Sequence, residues 1–204
     1  MTNPDFIWVI LAAGGSTRLG EPKQLLSLGG ETLIQHQIRT LQATGLPVCV
    51  VTGAVDVGRT LRNVELKPDL HTIHNPDWEK GMGSSVKLAQ QHYANSHIGW
   101  VLVDQYAITT AQALDFYHTW LQAPCLALVS RYNDQNNAWG VPVITHKDLM
   151  AKAQLPERGL KPWLLANHHQ IELQYYYWPD ALADLDTPAQ WQQVQHQEKW
   201  HDHP

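Results

Sequence analysis

Strand-like and helix-like segments alternate along this chain. The first strand-like run, Phe6 to Leu11, flows directly into Leu11-Ala12-Ala13-Gly14-Gly15-Ser16-Thr17-Arg18-Leu19-Gly20-Glu21-Pro22-Lys23-Gln24-Leu25-Leu26. A strand that ends in small residues and glycines lets backbone N–H groups approach a polyanion closely. Arg18 and Lys23 add two cations to the same short loop. Together they point to a site for a nucleoside triphosphate just beyond the first strand. The loop is not a P-loop, because Gly20 is followed by Glu21 and Pro22. Nor do Gly14, Gly15 and Gly20 supply the spacing of a dinucleotide-binding fingerprint.

The alternation continues to the end of the chain. Thr32-Leu33-Ile34-Gln35 fits a capping box, and Leu33, Ile34, Ile38 and Leu41 then form a helical stripe. Pro47 to Thr52, Leu70 to His74, Trp100 to Val103 and Cys125 to Ser130 read as strands, and Ala111 to Leu121 as a helix. Ser84 or Ser85 is expected to cap a helix running to about Tyr93. Val141 to Ile144 begins a less regular half, in which Leu149 to Ala166 holds helical pieces interrupted by Pro156 and Pro162. Ile171 to Tyr177 is a late strand. Thr187-Pro188-Ala189-Gln190 repeats the capping box, with Pro at the first helical position. This order predicts an α/β fold: a single-domain, doubly wound, mostly parallel sheet over residues 1–198, with 199–204 as a flexible tail. Ligands of such sheets bind beyond the carboxyl ends of the strands, where both the first loop and Asp104 fall.

Composition narrows the partners. A formal net charge of −5 over 204 residues argues against nucleic-acid binding and requires cations to be concentrated at an anion site. No apolar run approaches bilayer length, and Met1 to Asp5 carries no basic leader, so a cytoplasmic location with no membrane contact is expected. Cys49 and Cys125 lie in apolar runs and read as buried thiols. Twelve scattered histidines accompany no HExxH or CxxC pattern and read as surface and strand-edge residues. The stretch Asn133 to Asn137 suits either a mobile substrate flap or an ordinary surface loop.

The opening loop closely resembles the signature L-A-A-G-x-S-x-R-[ML]-G-x-x-K-x-L-L of molybdenum cofactor nucleotidyltransferases, most closely the cytidylyltransferase branch, whose fold is Rossmann-like. The resemblance continues in order. Asn75-Pro76-Asp77-Trp78 with Gly81 to Ser85 is similar to an N-P-x-W…G-x-x-x-S segment, and Val103-Asp104-Gln105 to a D-Q-P in which Tyr106 replaces the proline. Trp139 to Val143 is similar to a G-x-P segment, and Asp184-Leu185-Asp186-Thr187-Pro188 to D-x-D-T-P. The family's G-D-x-G-A-R is replaced by Pro156-Glu157-Arg158-Gly159-Leu160-Lys161, so the departure lies on the acceptor side.

The resemblance implies transfer of CMP from CTP to the phosphate of the molybdenum cofactor, with Mg2+ and release of pyrophosphate. Such a reaction asks the protein mainly for positioning and charge neutralisation. Arg18 can fork onto phosphate oxygens and hold the leaving pyrophosphate. Lys23 suits the developing charge at the α-phosphate as a compact point charge. The backbone of Leu11, Ala12 and Ala13 would face base or ribose, with Gly14 and Gly15 beside them, and Asn75, Gly81 and Ser85 would complete the nucleotide pocket. Asp104 is the leading metal ligand, against a turn or cap aspartate. A second carboxylate comes from Asp184 or Asp186, either of which has a plainer reading as strand-end charge or helix cap. Arg131, Glu157 and Lys161 face the acceptor or form a solvated face. The double alanine at Ala12-Ala13 resembles the cytidine-using branch. Other readings are cytidylyl or guanylyl transfer to another phosphorylated small molecule, and a non-catalytic nucleotide or cofactor carrier for a molybdenum hydroxylase.

Overall fold

The computed structural model describes residues 5–16, 19–62, 70–133, 138–183 and 185–196. Strand β1 (Phe6–Leu11) is buried along its whole length. Its side chains alternate between two cores. Phe6, Trp8 and Ile10 enter one, and Ile7, Val9 and Leu11 the other. A strand apolar on both faces needs helices on both, as in a doubly wound sheet.

A two-strand hairpin follows, β2 (Ser27–Leu28) and β3 (Glu31–Thr32). Thr32 then caps helix α1 (Leu33–Gln42) in the capping box expected, with Gln35 reaching back. Ile34, Ile38 and Leu41 of its stripe, all fully buried, pack on the Phe6–Trp8–Ile10 face. The chain proceeds through β4 (Val48–Thr52), α2 (Gly58–Arg62), β5 (Leu70–His74), α3 (Met82–His92), β6 (His97–Leu102), α4 (Thr110–Gln122) and β7 (Ala127–Arg131). It ends with β8 (Trp139–Thr145), α5 (Lys147–Met150), α6 (Leu160–Asn167), β9 (Leu173–Tyr177) and α7 (Pro188–His196). Helices α1 and α4 cover one face, and α3, α5 and α6 the other.

The seven-stranded sheet runs in the order β5-β4-β1-β6-β8-β7-β9. All neighbours are parallel except β8, which is antiparallel to both β6 and β7. Strand β8 follows β7 closely in sequence and pairs with it antiparallel, whereas parallel neighbours need a long crossover. Pro142 sits inside β8 without an amide hydrogen, and the ladder slips there: Val129 pairs with Val143, but Ser130 pairs with Gly140. Side chains satisfy the carbonyls freed by the slip. Ser130 Oγ donates to Pro142 O at 2.7 Å, and Tyr132 Oη to Val141 O at 2.6 Å.

Two expectations are corrected. Neither Ser84 nor Ser85 caps α3, which starts after Gly81 with no side-chain cap. Pro162 does not interrupt a helix, because it falls in the first turn of α6, where amide hydrogens have no intrahelical acceptor to lose. Both cysteines are buried, and burial pushes the thiol pKa up to about 12 for Cys49 and about 11 for Cys125. Residues 134–137 and the tail at 199–204 lie outside the described residues.

Candidate active site

The chain leaves β1 to add β4 and β5 on one side, then returns to add β6 on the other. The carboxyl ends of β1 and β6 therefore flank the point where strand order reverses, the place where open α/β sheets leave a crevice. A cleft of about 550 Å³ opens there. One side is lined by Leu11 through Ser16 with Lys23, Gln24 and Trp78, the floor by Leu102 to Asp104, and the far wall by Gly81, Met82 and Ser85. Asp186 closes the remaining side.

Gln24 holds the glycine loop. This side chain is buried, and its Nε2 donates to Ala12 O at 2.6 Å and Gly14 O at 2.7 Å. Lys23 sits beside it in a single 3-10 turn (Lys23–Leu25), with its amide donating to Ser16 Oγ at 3.0 Å. The lysine backbone is thus tied to the loop through Ser16, and its neighbour Gln24 ties to the same loop. Its Nζ lies 2.6 Å from Asp104 Oδ2 and 2.6 Å from Asp186 Oδ1. Burial works against the ammonium. The two carboxylates, Asp104 foremost, outweigh it and hold the Lys23 pKa above the ordinary lysine value.

Asp104 is held by its neighbour. Gln105, itself buried, accepts from Leu102 N–H at 3.0 Å and donates through Nε2 to Val141 O and Ala181 O, both at 2.7 Å. Its carbonyl accepts from Gln37 Nε2 at 2.5 Å, and the Tyr106 carbonyl accepts from His36 Nε2 at 3.1 Å. Helix α1 and the slipped strand β8 together fix the turn that presents the carboxylate. His36 corrects the reading of the histidines as surface residues. It is buried, its pKa is pushed down to about 4 chiefly by burial against the pull of Glu31, and its Nδ1 accepts from Arg39. Gln105→Leu is expected to leave Leu102 N–H and Ala181 O without this partner, while Val141 O keeps Tyr132 Oη, at about 1–3 kcal/mol for each group left unpaired. Urea unfolding checks that loss.

Asp186 arrives from the other end of the chain. Leu185 and Val194 pack with Leu19, Leu26, Leu28 and Leu33 in a third core, joined by Tyr106 and Trp191. Docking of α7 on the loop–hairpin segment therefore sets the position of Asp186. Thr187, not Asp186, caps α7, with Gln190 N–H donating to Thr187 Oγ1 and Gln190 Oε1 accepting in return.

On the far wall, Asn75 stands behind the cleft and supports it. Its Nδ2 donates to Ser84 Oγ at 2.8 Å and Ser85 Oγ at 2.9 Å. A Cβ on Gly81 would fall 2.6 Å from Glu157 O, and one on Gly83 2.0 Å from Pro156 O, so the 156–157 backbone lies flush on the start of α3. Gly83 N–H donates to Glu157 O at 2.8 Å.

Of the residues expected at the site, Leu11, Ala12, Ala13, Gly14, Gly15, Lys23, Gly81, Ser85, Asp104 and Asp186 line one cleft. Arg18 and Asp184 lie outside the described residues. Arg131, Glu157 and Lys161 do not line it. Lys161 instead donates to the Trp139 carbonyl, with Nζ 5.1 Å from the centre of that residue's ring, and burial lowers its pKa. Sequence reasoning left out Trp78 and Gln24. Trp78 stood in plain view within its motif. A Cβ on Gly15 would lie 3.3 Å from its ring, so the indole backs the glycine loop directly.

The donor set suits a magnesium-like ion. Both carboxylates reach one ammonium at 2.6 Å, so their oxygens are no farther apart than twice that length. Among the described residues no third histidine, cysteine or acid joins them. One or two carboxylates completed by substrate phosphates is how Mg2+ is ordinarily held in nucleotide sites. Among the described residues no helix is long and apolar enough to cross a membrane.

The profile of the MobA-like NTP transferase domain matches residues 8–171. A probable molybdenum cofactor guanylyltransferase from Rhodopirellula baltica is 25% identical over 194 residues, covering 91% of this chain and 90% of the relative. The molybdenum cofactor cytidylyltransferase of Escherichia coli is 25% identical over 190 residues, covering 88% and 90%. Among solved structures, Rv0371c from Mycobacterium tuberculosis superposes with a TM-score of 0.73 at 22% identity, over 95% of this chain and 98% of that one. Its manganese complex gives 0.70 at 18% identity, over 95% and 100%.

Proposed function

Because the chain belongs to the MobA-like NTP transferase family, we propose that it transfers CMP from CTP to the terminal phosphate of molybdopterin, with Mg2+, releasing pyrophosphate. That it is a nucleotidyltransferase follows from the family and from relatives that cover nearly its whole length. The single observation that carries the proposed chemistry is the convergence of Lys23, Asp104 and Asp186 in one cleft with the glycine loop. That a protein of the same fold, Rv0371c, is known as a manganese complex supports a divalent ion in the reaction. The choice of cytosine rests on the Ala12-Ala13 pair and on the Escherichia coli relative. The Rhodopirellula baltica relative favours guanine, which makes GTP the second reading.

In this reaction the loop from Ala13 to Ser16 offers backbone N–H groups to the triphosphate. Gln24 Nε2 donates to the Ala12 and Gly14 carbonyls and so occupies two oxygens of the loop that receives the anion. The ammonium of Lys23 neutralises charge that grows on the α-phosphoryl oxygens as the acceptor phosphate attacks and pyrophosphate leaves. Asp104 and Asp186 would hold the metal, which supplies further charge neutralisation of the phosphates and a template for their alignment. Trp78 and the start of α3 wall off the side where the nucleoside lies.

Pyrophosphate release with each of the four NTPs, Mg2+ and isolated molybdopterin tests the reading. The expected result is release with CTP, lost when molybdopterin is omitted. Preference for GTP would replace the base assignment. Release that requires a different phosphorylated acceptor would replace the substrate assignment.

A further inference from the structure

We propose that this site takes its divalent metal only together with the nucleotide, as a metal–nucleoside triphosphate complex, because Lys23 holds both metal carboxylates until a triphosphate draws it away. The proposal rests on reading Asp104 and Asp186 as the metal carboxylates.

The Lys23 ammonium lies between the two acids, 2.6 Å from an oxygen of each. A metal at about 2.0–2.1 Å from the same oxygens would need the same lone pairs. It would also sit against a like charge in a partly buried place, where Coulomb repulsion is weakly screened. The side chains of Lys23 and Asp104 are only 15% and 8% exposed, so an ammonium expelled here gains little from water. A bare metal ion must therefore displace Lys23 and leave it without an anion.

A triphosphate removes that penalty. The Lys23 backbone is fixed by Ser16 and by its 3-10 turn, beside the glycine loop that receives the phosphates. Only the four-carbon stem has to swing for Nζ to exchange carboxylates for phosphate oxygens. That swing releases Asp104 and Asp186 from the ammonium for the cation that the triphosphate carries. Nucleotide and metal binding are then positively coupled, and the coupling acts equally in both directions.

The test titrates Mn2+ into nucleotide-free protein and follows water-proton relaxation, which reads bound metal without turnover. Wild-type protein is expected to show no saturable site in the low millimolar range. Lys23→Met should acquire one at least tenfold tighter, and the double change Lys23→Met with Asp186→Asn should lose it again. Circular dichroism verifies folding, and Lys23→Gln repeats the comparison if Lys23→Met does not fold. In wild-type protein, α,β-methylene CTP or α,β-methylene GTP should bind at least tenfold tighter with Mn2+ than without. Equal Mn2+ binding by wild type and Lys23→Met, without nucleotide, would overturn the inference and leave the metal carboxylates standing. Absence of bound Mn2+ from every protein, with the analogues present, would overturn the carboxylate assignment and the inference with it.

Discussion

Lys23→Ala is expected to lower kcat by about 10²–10³-fold while weakening nucleotide binding by less than about tenfold, the range found when one donor to a developing charge is removed. The asymmetry has a structural cause. Lys23 is paired with Asp104 and Asp186, so binding a triphosphate exchanges one set of anions for another. The net gain in the ground state is small. As the α-phosphoryl oxygens gain charge during transfer, the phosphate side of that exchange strengthens and the carboxylate side does not. An interaction that grows only along the reaction coordinate appears in kcat and hardly in affinity. Steady-state pyrophosphate release, together with equilibrium binding of the α,β-methylene analogue, separates the two quantities. Equal losses in both would show that Lys23 serves only as a ground-state anchor.

Asp104→Asn is expected to reduce metal-dependent activity at least about a hundredfold, because loss of several kcal/mol of charge stabilisation is worth tenfold for each 1.4. The substitution keeps the shape of the side chain, and its amide oxygen can still accept from Lys23. Gln105, Gln37 and His36 continue to hold the turn through backbone groups, so the fold is expected to survive. What changes is one negative charge in a side chain only 8% exposed. Asp186→Asn should act in the same direction with a smaller effect, since Asp186 is 29% exposed and water can replace part of its role. The check is a metal titration of activity for both variants, with unfolding curves alongside. Near-wild-type activity of Asp104→Asn at ordinary metal concentrations would remove Asp104 from the site.

Legibility in the sequence followed the range of the interactions involved. The strands Phe6–Leu11 and Leu70–His74 and the capping boxes at Thr32 and Thr187 were readable because each depends on residues a few positions apart. The start of α3 was not. Met82-Gly83-Ser84-Ser85 contains two ordinary capping residues, yet the helix begins at Met82, and the Glu157 carbonyl, from far along the chain, accepts from the Gly83 amide in its first turn. The reversal of β8 was equally hidden, since alternation of strands and helices says nothing about a strand that enters between two others. Lys161 shows the same limit on the acceptor side. Its charge suggested a ligand contact, and the fold sets it against the carbonyl and ring of Trp139.

By itself the sequence determined the doubly wound class, the glycine loop after the first strand, and the residue types that nucleotidyl transfer requires. Those follow from patterning and local hydrogen bonding, which operate within a few residues of chain. Only the tertiary structure decided that Lys23 stands between Asp104 and Asp186, residues 81 and 163 positions away. Sheet order brings β6 beside β1, and the third hydrophobic core brings α7 onto the loop. Packing over such distances depends on every intervening element, and it turned a loop with two cations into a site whose lysine and carboxylates are set against one another.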